Sequence, residues 1–385
     1  MSDWQRKGLQ NNSMKRKPLS NICELHVEVS DSCNLHCDYC YFIAKEKVKS
    51  AFPLQNIERI VKSFFQKTSC DVTFVFHGGE PLMCSPEWID KACRITHDCA
   101  KANGHKVCFH LQTNGTLLTD KYVDVLSRHH FTVNVSLDGP AEIHDSVRGG
   151  YKHTIKAIEL LRNTGLLIGT ISVIGKHNYN QVHNIVEHLL TLGVSRYHFN
   201  IGSILNGNKN LILSENEILT YLQDSYHEFA KTYQSACNWV LLGKLRRFVS
   251  KEIPQLSCDS PICGAAIHKI HVKSNGNYYP CGSCVSKQEG IRKFLLGNMM
   301  DDNLSEEEHE KRMSSFHHLY FGHREVCVNC KAQTVCDFFC PAFDEFDSET
   351  IKNKCNAYNA FIDFLEKQDL AEIQSIIDFY KDHND

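Results

Sequence analysis

The chain has 385 residues, 42% of them hydrophobic and 23% charged, with a formal net charge of −3. That balance offers no basic footprint for nucleic acid, and the absence of an apolar run of about 18 residues excludes a membrane span. Length alone predicts two or three domains.

Nineteen cysteines are far above ordinary usage. An odd count, and an N-terminus without an apolar h-region, argue against a secreted disulfide scaffold and for a cytoplasmic protein. There, clustered thiols usually hold metal. Residues 1–21 are basic and polar, and are expected to form a flexible tail.

From Cys23 to Gly202 the chain alternates β-rich runs with segments of helical period. Strands are predicted over 23–30, 71–78, 106–113, 131–138, 167–175 and 196–202. Helices are predicted at Leu54–Gln66, Glu87–Ala102, Asp120–Arg128, Lys152–Thr164 and Gln181–Leu192. Strand and helix repeated six times imply an α/β fold with a parallel sheet and right-handed crossovers. Six units fall short of a closed eightfold barrel, so residues 22–202 are expected to form a partial, open (β/α)6 barrel.

A turn-rich break opens the stretch 203–257, expected to be a helical bridge. Its helix, Ser214–Ser235, begins with Ser214 as N-cap and Glu217 completing a capping box. Residues 258–385 are cysteine-dense and turn-rich, as in a small module whose fold is set by metal. A closing helix is predicted over Asn356–Lys381.

Three cysteines, Cys33, Cys37 and Cys40, stand at CxxxCxxC spacing just after the first strand. This is the C-terminal mouth of the barrel, where such folds place their chemistry. Three thiolates on a four-iron cluster leave one iron without a protein ligand. A zinc or disulfide loop fits less well, because zinc sites prefer two-residue gaps paired with a distant second pair. "HGGEP" (77–81) ends the second strand, "QTNG" (112–115) the third and "SLDGP" (136–140) the fourth. GGEP alone is a turn in most proteins, but here it follows the cysteines by one β-unit.

This order of motifs over about residues 22–202 resembles the radical S-adenosylmethionine (radical SAM) enzymes. The resemblance implies a [4Fe–4S] cluster on Cys33, Cys37 and Cys40, with S-adenosylmethionine on the open iron. Reductive cleavage would then give a 5′-deoxyadenosyl radical that takes a hydrogen from substrate. It further implies cofactor contacts at Gly78, Gly79 and Glu80 toward the methionine amino group, at Tyr39 toward adenine, and at Asn114, Ser136, Asp138 and Arg148. A surface salt bridge is an equal reading of Arg148.

In the C-terminal region Cys263, Gly276 and Cys281 give Cx12Gx4C. Cys327, Cys330, Cys336 and Cys340 give Cx2Cx5Cx3C, and Cys355 follows. The string resembles the SPASM extension of radical SAM peptide-modifying enzymes, which implies two auxiliary [4Fe–4S] clusters and three in all. Carried over, Cys263, Cys281 and Cys340 hold the first, with Cys258 as fourth ligand or Cys284 as its substitute. Cys327, Cys330, Cys336 and Cys355 hold the second. The remaining thiols, Cys23, Cys70, Cys84, Cys93, Cys99, Cys108, Cys237 and Cys284, are expected to be ordinary. The 22 histidines are expected to be surface or packing residues.

Two substrate classes compete. Anaerobic sulfatase-maturing enzymes make formylglycine from Cys or Ser and carry an acidic base directly after the second cysteine of the Cx9–15Gx4C element. Here that position is Gly282, which cannot take a proton. The expected function is therefore a maturase of ribosomally made peptides that installs an intramolecular crosslink, of the kind made by cyclophane-forming enzymes. An iron–sulfur electron carrier is disfavoured, since a carrier would want every iron ligated. The implied partners are a precursor peptide, leader plus core, and an electron donor such as flavodoxin or ferredoxin. The short stretch before the first strand is too small for a leader-recognition domain.

Overall fold

A computed structural model describes residues 19–40, 42, 52–202, 211–251, 264–285, 288–301, 305–322, 327, 329–336, 340, 342 and 348–381. The described strands form one ten-stranded sheet in the order β10-β9-β8-β1-β2-β3-β4-β5-β6-β7. Its centre is the sixfold repeat: β1 (Glu24–Ser30), α1 (Leu54–Phe65), β2 (Val72–Gly78), α2 (Pro86–Ala102), β3 (Val107–Thr113), α3 (Asp120–Arg128) and β4 (Thr132–Ser136). It continues with α4 (Ala141–Val147), α5 (Tyr151–Arg162), β5 (Leu167–Ile174), α6 (Val182–Thr191) and β6 (Arg196–Ile201). All six strands pair in parallel with their sequence neighbours. The predicted α/β alternation is thus observed, with boundaries that coincide or differ by a residue or two. The added element is α4, seven residues too short to carry a periodic signal of its own.

Alternation along the strands sets the two layers. Leu25, Val27 and Val29 of β1, Phe74 and Phe76 of β2, and Phe109 and Leu111 of β3 turn outward and are buried beneath the helices. Phe76 lies 5.3 Å from Phe131 and 4.9 Å from Phe74, ring centre to ring centre. Helix α1 covers this face with Ile57, Ile60, Val61 and Phe64. The inward face of the same strands carries Glu24, His26, Glu28, His77, His110 and Gln112. The lumen is therefore polar, where the layers of a closed eightfold barrel are filled by branched apolar side chains.

Beyond β6 come α7 (Glu215–Thr232), β7 (Cys237–Asn238) and α8 (Trp239–Ser250). The capping box of α7 forms as predicted: Ser214 caps Glu217 N–H, and the Glu217 carboxylate accepts from Ser214 N–H at 2.7 Å. β7 adds in parallel to β6.

The cysteine-rich region is joined to the same sheet. β8 (Lys269–Val272) pairs in parallel with β1, and β9 (Asn277–Tyr279) and β10 (Gly297–Asn298) follow antiparallel. Three strands of four, three and two residues leave too little period to read from sequence. Helices α9 (Gln288–Lys293), α10 (Glu306–Gly322), α11 (Ser348–Leu365) and α12 (Leu370–Phe379) complete the described elements. The single closing helix expected over Asn356–Lys381 is two helices, because Asp369 caps a new start by accepting from Ala371 N–H at 2.9 Å. The expected N-terminal tail lies outside the described residues as far as position 18, while Leu19 is buried. No helix among the described residues is long and apolar enough to cross a membrane.

Phe76 sits at the centre of an aromatic cluster with no exposure. Phe76→Ala should cost about 3–5 kcal/mol of unfolding free energy. A urea titration followed by tryptophan fluorescence checks this, and an unchanged midpoint would contradict the packing.

Candidate active site

The strand ends gather at one mouth, and the Glu80 carboxylate fastens two of them. Its buried carboxylate accepts from Leu82 N–H at 2.9 Å, Thr113 Oγ1 at 2.6 Å and Asn114 N–H at 2.8 Å. The GGEP turn is thereby tied to the end of β3. Burial pushes the Glu80 carboxyl up, and these donors offset part of that rise. With three acceptor positions used, about one remains of the four an ionised carboxylate offers. The turn itself needs glycine. Gly78 has φ +128°, and a Cβ there would stand 2.3 Å from the Ser30 carbonyl oxygen; one on Gly79 would stand 2.4 Å from that of Ser32.

Asn114 holds the cysteine loop. Its amide donates to Asn34 Oδ1 at 3.0 Å and faces Cys33 Sγ at 3.9 Å, while Asn34 donates to Thr116 Oγ1 at 2.7 Å. The Cys33, Cys37 and Cys40 side chains face one another at the mouth. Burial pushes all three thiols up, Cys37 to about 11, and Arg148 offsets only part of the rise. These thiols need a cationic centre to ionise, which is the condition a metal cluster meets.

Tyr39, Asp138 and Arg148, predicted as separate contacts, are one hydrogen-bonded unit. Tyr39 donates its hydroxyl proton to Asp138 Oδ2 and accepts from Arg148 Nη1. Arg148 Nη1 lies 3.9 Å from Asp138 Oδ1, and Val173 N–H donates to that oxygen at 2.9 Å. Asp138 is fully buried and Arg148 nearly so, and the surface reading of Arg148 is thereby corrected. Burial alone would weaken the guanidinium, but Tyr39 and Asp138 hold it protonated. Ser136 is set apart, accepting from Gln112 Nε2 at 3.1 Å on the lumen wall.

His177, not singled out from sequence, stacks beside the Tyr39 ring at 6.2 Å. Both of its ring nitrogens and Arg148 Nε are buried with no hydrogen-bond partner among the described residues. Such groups leave polar capacity for a bound cofactor at the mouth. The only hint of His177 in the sequence was its position just past the end of β5.

The C-terminal cysteines divide into two groups. Cys327, Cys330, Cys336 and Cys355 line one small, partly open cavity with Ala332, Gln333, Lys354 and Tyr358. Cys281, Cys284 and Cys340 pack in a separate cluster with Tyr279, Phe294 and Phe316, and Cys281 Sγ lies 3.8 Å from Cys284 Sγ. A hydrogen bond from the Cys284 thiol pushes Cys281 down, and burial raises Cys284. Cys258 and Cys263 lie outside the described residues. Among the described residues no three Cys, His, Asp or Glu side chains converge as ligands of a single ion. A four-iron cluster spreads its thiolates wider than one ion does, so the donor set and the cavity fit a cluster better.

A parallel sheet with an open three-thiol loop beside a GGEP turn is the arrangement expected of a radical SAM domain. Residues 27–189 match the family model described as "Radical SAM superfamily". The chain is 25% identical over 348 residues to a serine-type anaerobic sulfatase-maturating enzyme of Bacteroides thetaiotaomicron, covering 80% of each. It is 23% identical over 369 residues to a cysteine-type enzyme of Clostridium perfringens, covering 87% of this chain and 94% of that protein. Its fold resembles anSMEcpe with bound AdoMet, with a TM-score of 0.75 at 21% identity over 89% of this chain and 98% of that one. It also resembles Streptococcus suis SuiB bound to precursor peptide SuiA, with a TM-score of 0.60 at 17% identity over 90% and 77%. Residues 27–189 thus carry a radical SAM domain and the chain is an enzyme; the radical SAM family uses a [4Fe–4S] cluster and S-adenosylmethionine.

Removing Asp138 would strand the Arg148 charge in the interior. Asp138→Ala should destabilise the fold by about 3–5 kcal/mol and weaken S-adenosylmethionine binding. Denaturation and equilibrium dialysis check the two effects, and wild-type values for both would contradict the buried unit.

Proposed function

We propose that the chain oxidises a side chain of a peptide or protein substrate by two electrons, and that formylglycine formation on Cys or Ser is the first reading to test. The observation that carries it is similarity to sulfatase-maturating enzymes along most of both chains, not the radical SAM domain alone. In this reading Cys33, Cys37 and Cys40 hold the cluster that binds S-adenosylmethionine and, with an electron from an outside donor such as flavodoxin or ferredoxin, supplies the hydrogen-abstracting radical. Gly78, Gly79 and Glu80 shape the methionine end of the site. Tyr39, braced by Asp138 and Arg148, offers its ring to the adenine, with Asn114 and Ser136 as further polar contacts.

The C-terminal region is read as a SPASM module with two auxiliary clusters. Cys327, Cys330, Cys336 and Cys355 would hold one, and Cys263, Cys281 and Cys340 the other. Cys284, beside Cys281, is favoured over Cys258 as the fourth ligand of that set. Three four-iron clusters amount to about twelve irons per chain after anaerobic reconstitution. The triple variant Cys33→Ala, Cys37→Ala, Cys40→Ala should keep about eight and lose 5′-deoxyadenosine formation. Full cleavage of S-adenosylmethionine by that variant would overturn the assignment.

One residue favours a second reading. Position 282 is glycine, with no carboxylate to serve as the base expected of a formylglycine former. An intramolecular crosslink in a ribosomally made precursor peptide, such as an aromatic cyclophane, is the alternative. Both products lose two hydrogens, about 2 Da for a serine substrate, so mass alone does not separate them. Incubation with sulfatase-derived Cys and Ser peptides and with aromatic-containing peptides, followed by a hydrazide probe and tandem mass spectrometry, does. A hydrazide-reactive product supports the first reading, whereas a probe-silent product with a fragmentation gap spanning Trp, Phe or Tyr supports the second. Intact peptides throughout, with the cofactor cleaved, would contradict both.

A further inference from the structure

Four histidines line the barrel interior: His26 on β1, His77 on β2, His110 on β3 and His271 on β8. The His77 ring lies 5.9 Å from His26 and 5.8 Å from His271, edge-on to the latter. Behind them Glu28, buried, holds His271 Nε2 at 3.2 Å and Lys273 Nζ at 2.9 Å. Burial would raise the Glu28 carboxyl, but His271 and Lys273 outweigh it and keep it ionised. Nδ1 of His271 and Nδ1 of His77 are buried with no hydrogen-bond partner among the described residues. An imidazole that donates Nε2–H to a carboxylate leaves Nδ1 as a lone pair, the arrangement of an oriented base. His77 directly precedes Gly78 of the GGEP turn, and Gly78 packs on Glu28, where a Cβ would stand 3.2 Å from Glu28 Cγ. His271 pairs across the β8–β9 hairpin with Tyr279, three residues before Gly282.

We infer that His77, whose ring packs edge-on against the His271–Glu28 pair, is the proton acceptor of the reaction and takes over the role that Gly282 cannot fill. The inference rests on the two-electron oxidation proposed above and serves either product. The substrate side chain would give up one hydrogen atom to the deoxyadenosyl radical and one electron to an oxidised iron–sulfur centre, which the C-terminal cysteines would hold. The matching proton, from the hydroxyl or thiol for formylglycine or from the ring carbon for a crosslink, passes to His77. In total two protons and two electrons leave the side chain. His77 is the catalytic residue; His271 and Glu28 are positioning residues.

The titratable groups acting on His77 are His26 from β1, His110 from β3 and His271 from β8, with Glu28 and Lys273 behind His271. Burial, then the neighbouring imidazoles, keep His77 neutral well below the ordinary histidine range. His26 and His110 are lowered by burial as well, His110 to about 4. The base is therefore unprotonated at neutral pH, and product formation should fall only at a pH below the ordinary histidine value of about 6.5.

The test uses the reconstituted enzyme with the same peptide panel. His77→Gln should still cleave S-adenosylmethionine and bind its full iron, while product per deoxyadenosine falls about a hundredfold. His77→Gly should recover part of that loss with added imidazole. A His77→Gln enzyme with wild-type product yield and pH profile would overturn the inference. A second measurement needs no substrate. In 15N-histidine-labelled holoenzyme, His271 should carry its proton on Nε2 and have a bare Nδ1, and Glu28→Gln should weaken that preference. A His271 protonated on Nδ1, or a charged His77, would refute the arrangement. If the wild type modifies no peptide in the panel while the tautomers are as stated, the substrate reading fails and the arrangement of the imidazoles stands.

Discussion

A single buried carboxylate decides how this mouth is built. The Cys33–Cys40 loop, the GGEP turn and the end of β3 belong to three strands, with no covalent link between them, and each ends in irregular backbone with unmet hydrogen-bonding groups. Glu80 gathers Leu82 N–H, Asn114 N–H and Thr113 Oγ1 onto one group, and Asn114 then reaches the cysteine loop. Losing one donor would leave a desolvated carboxylate short of partners, which costs about 1–3 kcal/mol or more. The loops therefore stand or fall together. The Tyr39–Asp138–Arg148 unit applies the same logic across the mouth, joining the cysteine loop to the ends of β4 and α4.

Much of this was legible in the sequence because each signal was local. Strand and helix alternation over 22–202 is periodic, and its ends coincide with Gly78, Gly115 and Gly139, all at positive φ, where glycine is favoured. What stayed hidden was pairwise. Nothing near Arg148 announces Tyr39, more than a hundred residues away, so a buried cation read as well as a surface one. The edge strands β8 to β10 were hidden for another reason. They are short, and turn chemistry around the cysteines outweighs any alternation.

The histidines show where a correct periodicity can mislead. In "ELHVEVS" the polar positions alternate with apolar ones, the pattern of a strand with one face in water. Rolling the sheet into a partial barrel turns that face inward, so His26 and Glu28 stand in the interior although their strand reads as half-exposed. Packing residues they are, but they pack against one another and against His77 and His271. The signal that could have exposed them was the recurrence of inward histidines on four strands, β1, β2, β3 and β8.

That interior also bears on Gly282. A carboxylate placed there would act from the hairpin after β9, close to Cys281, whose thiol is already pushed down by Cys284. Like charge beside a thiolate set disfavours ionisation of both. In the lumen the base is an imidazole held neutral by burial, and the Glu28 charge behind it is balanced by Lys273. Moving the base from the turn after β9 to His77, at the mouth end of β2, would bring the reacting side chain against the inner wall beside the GGEP turn.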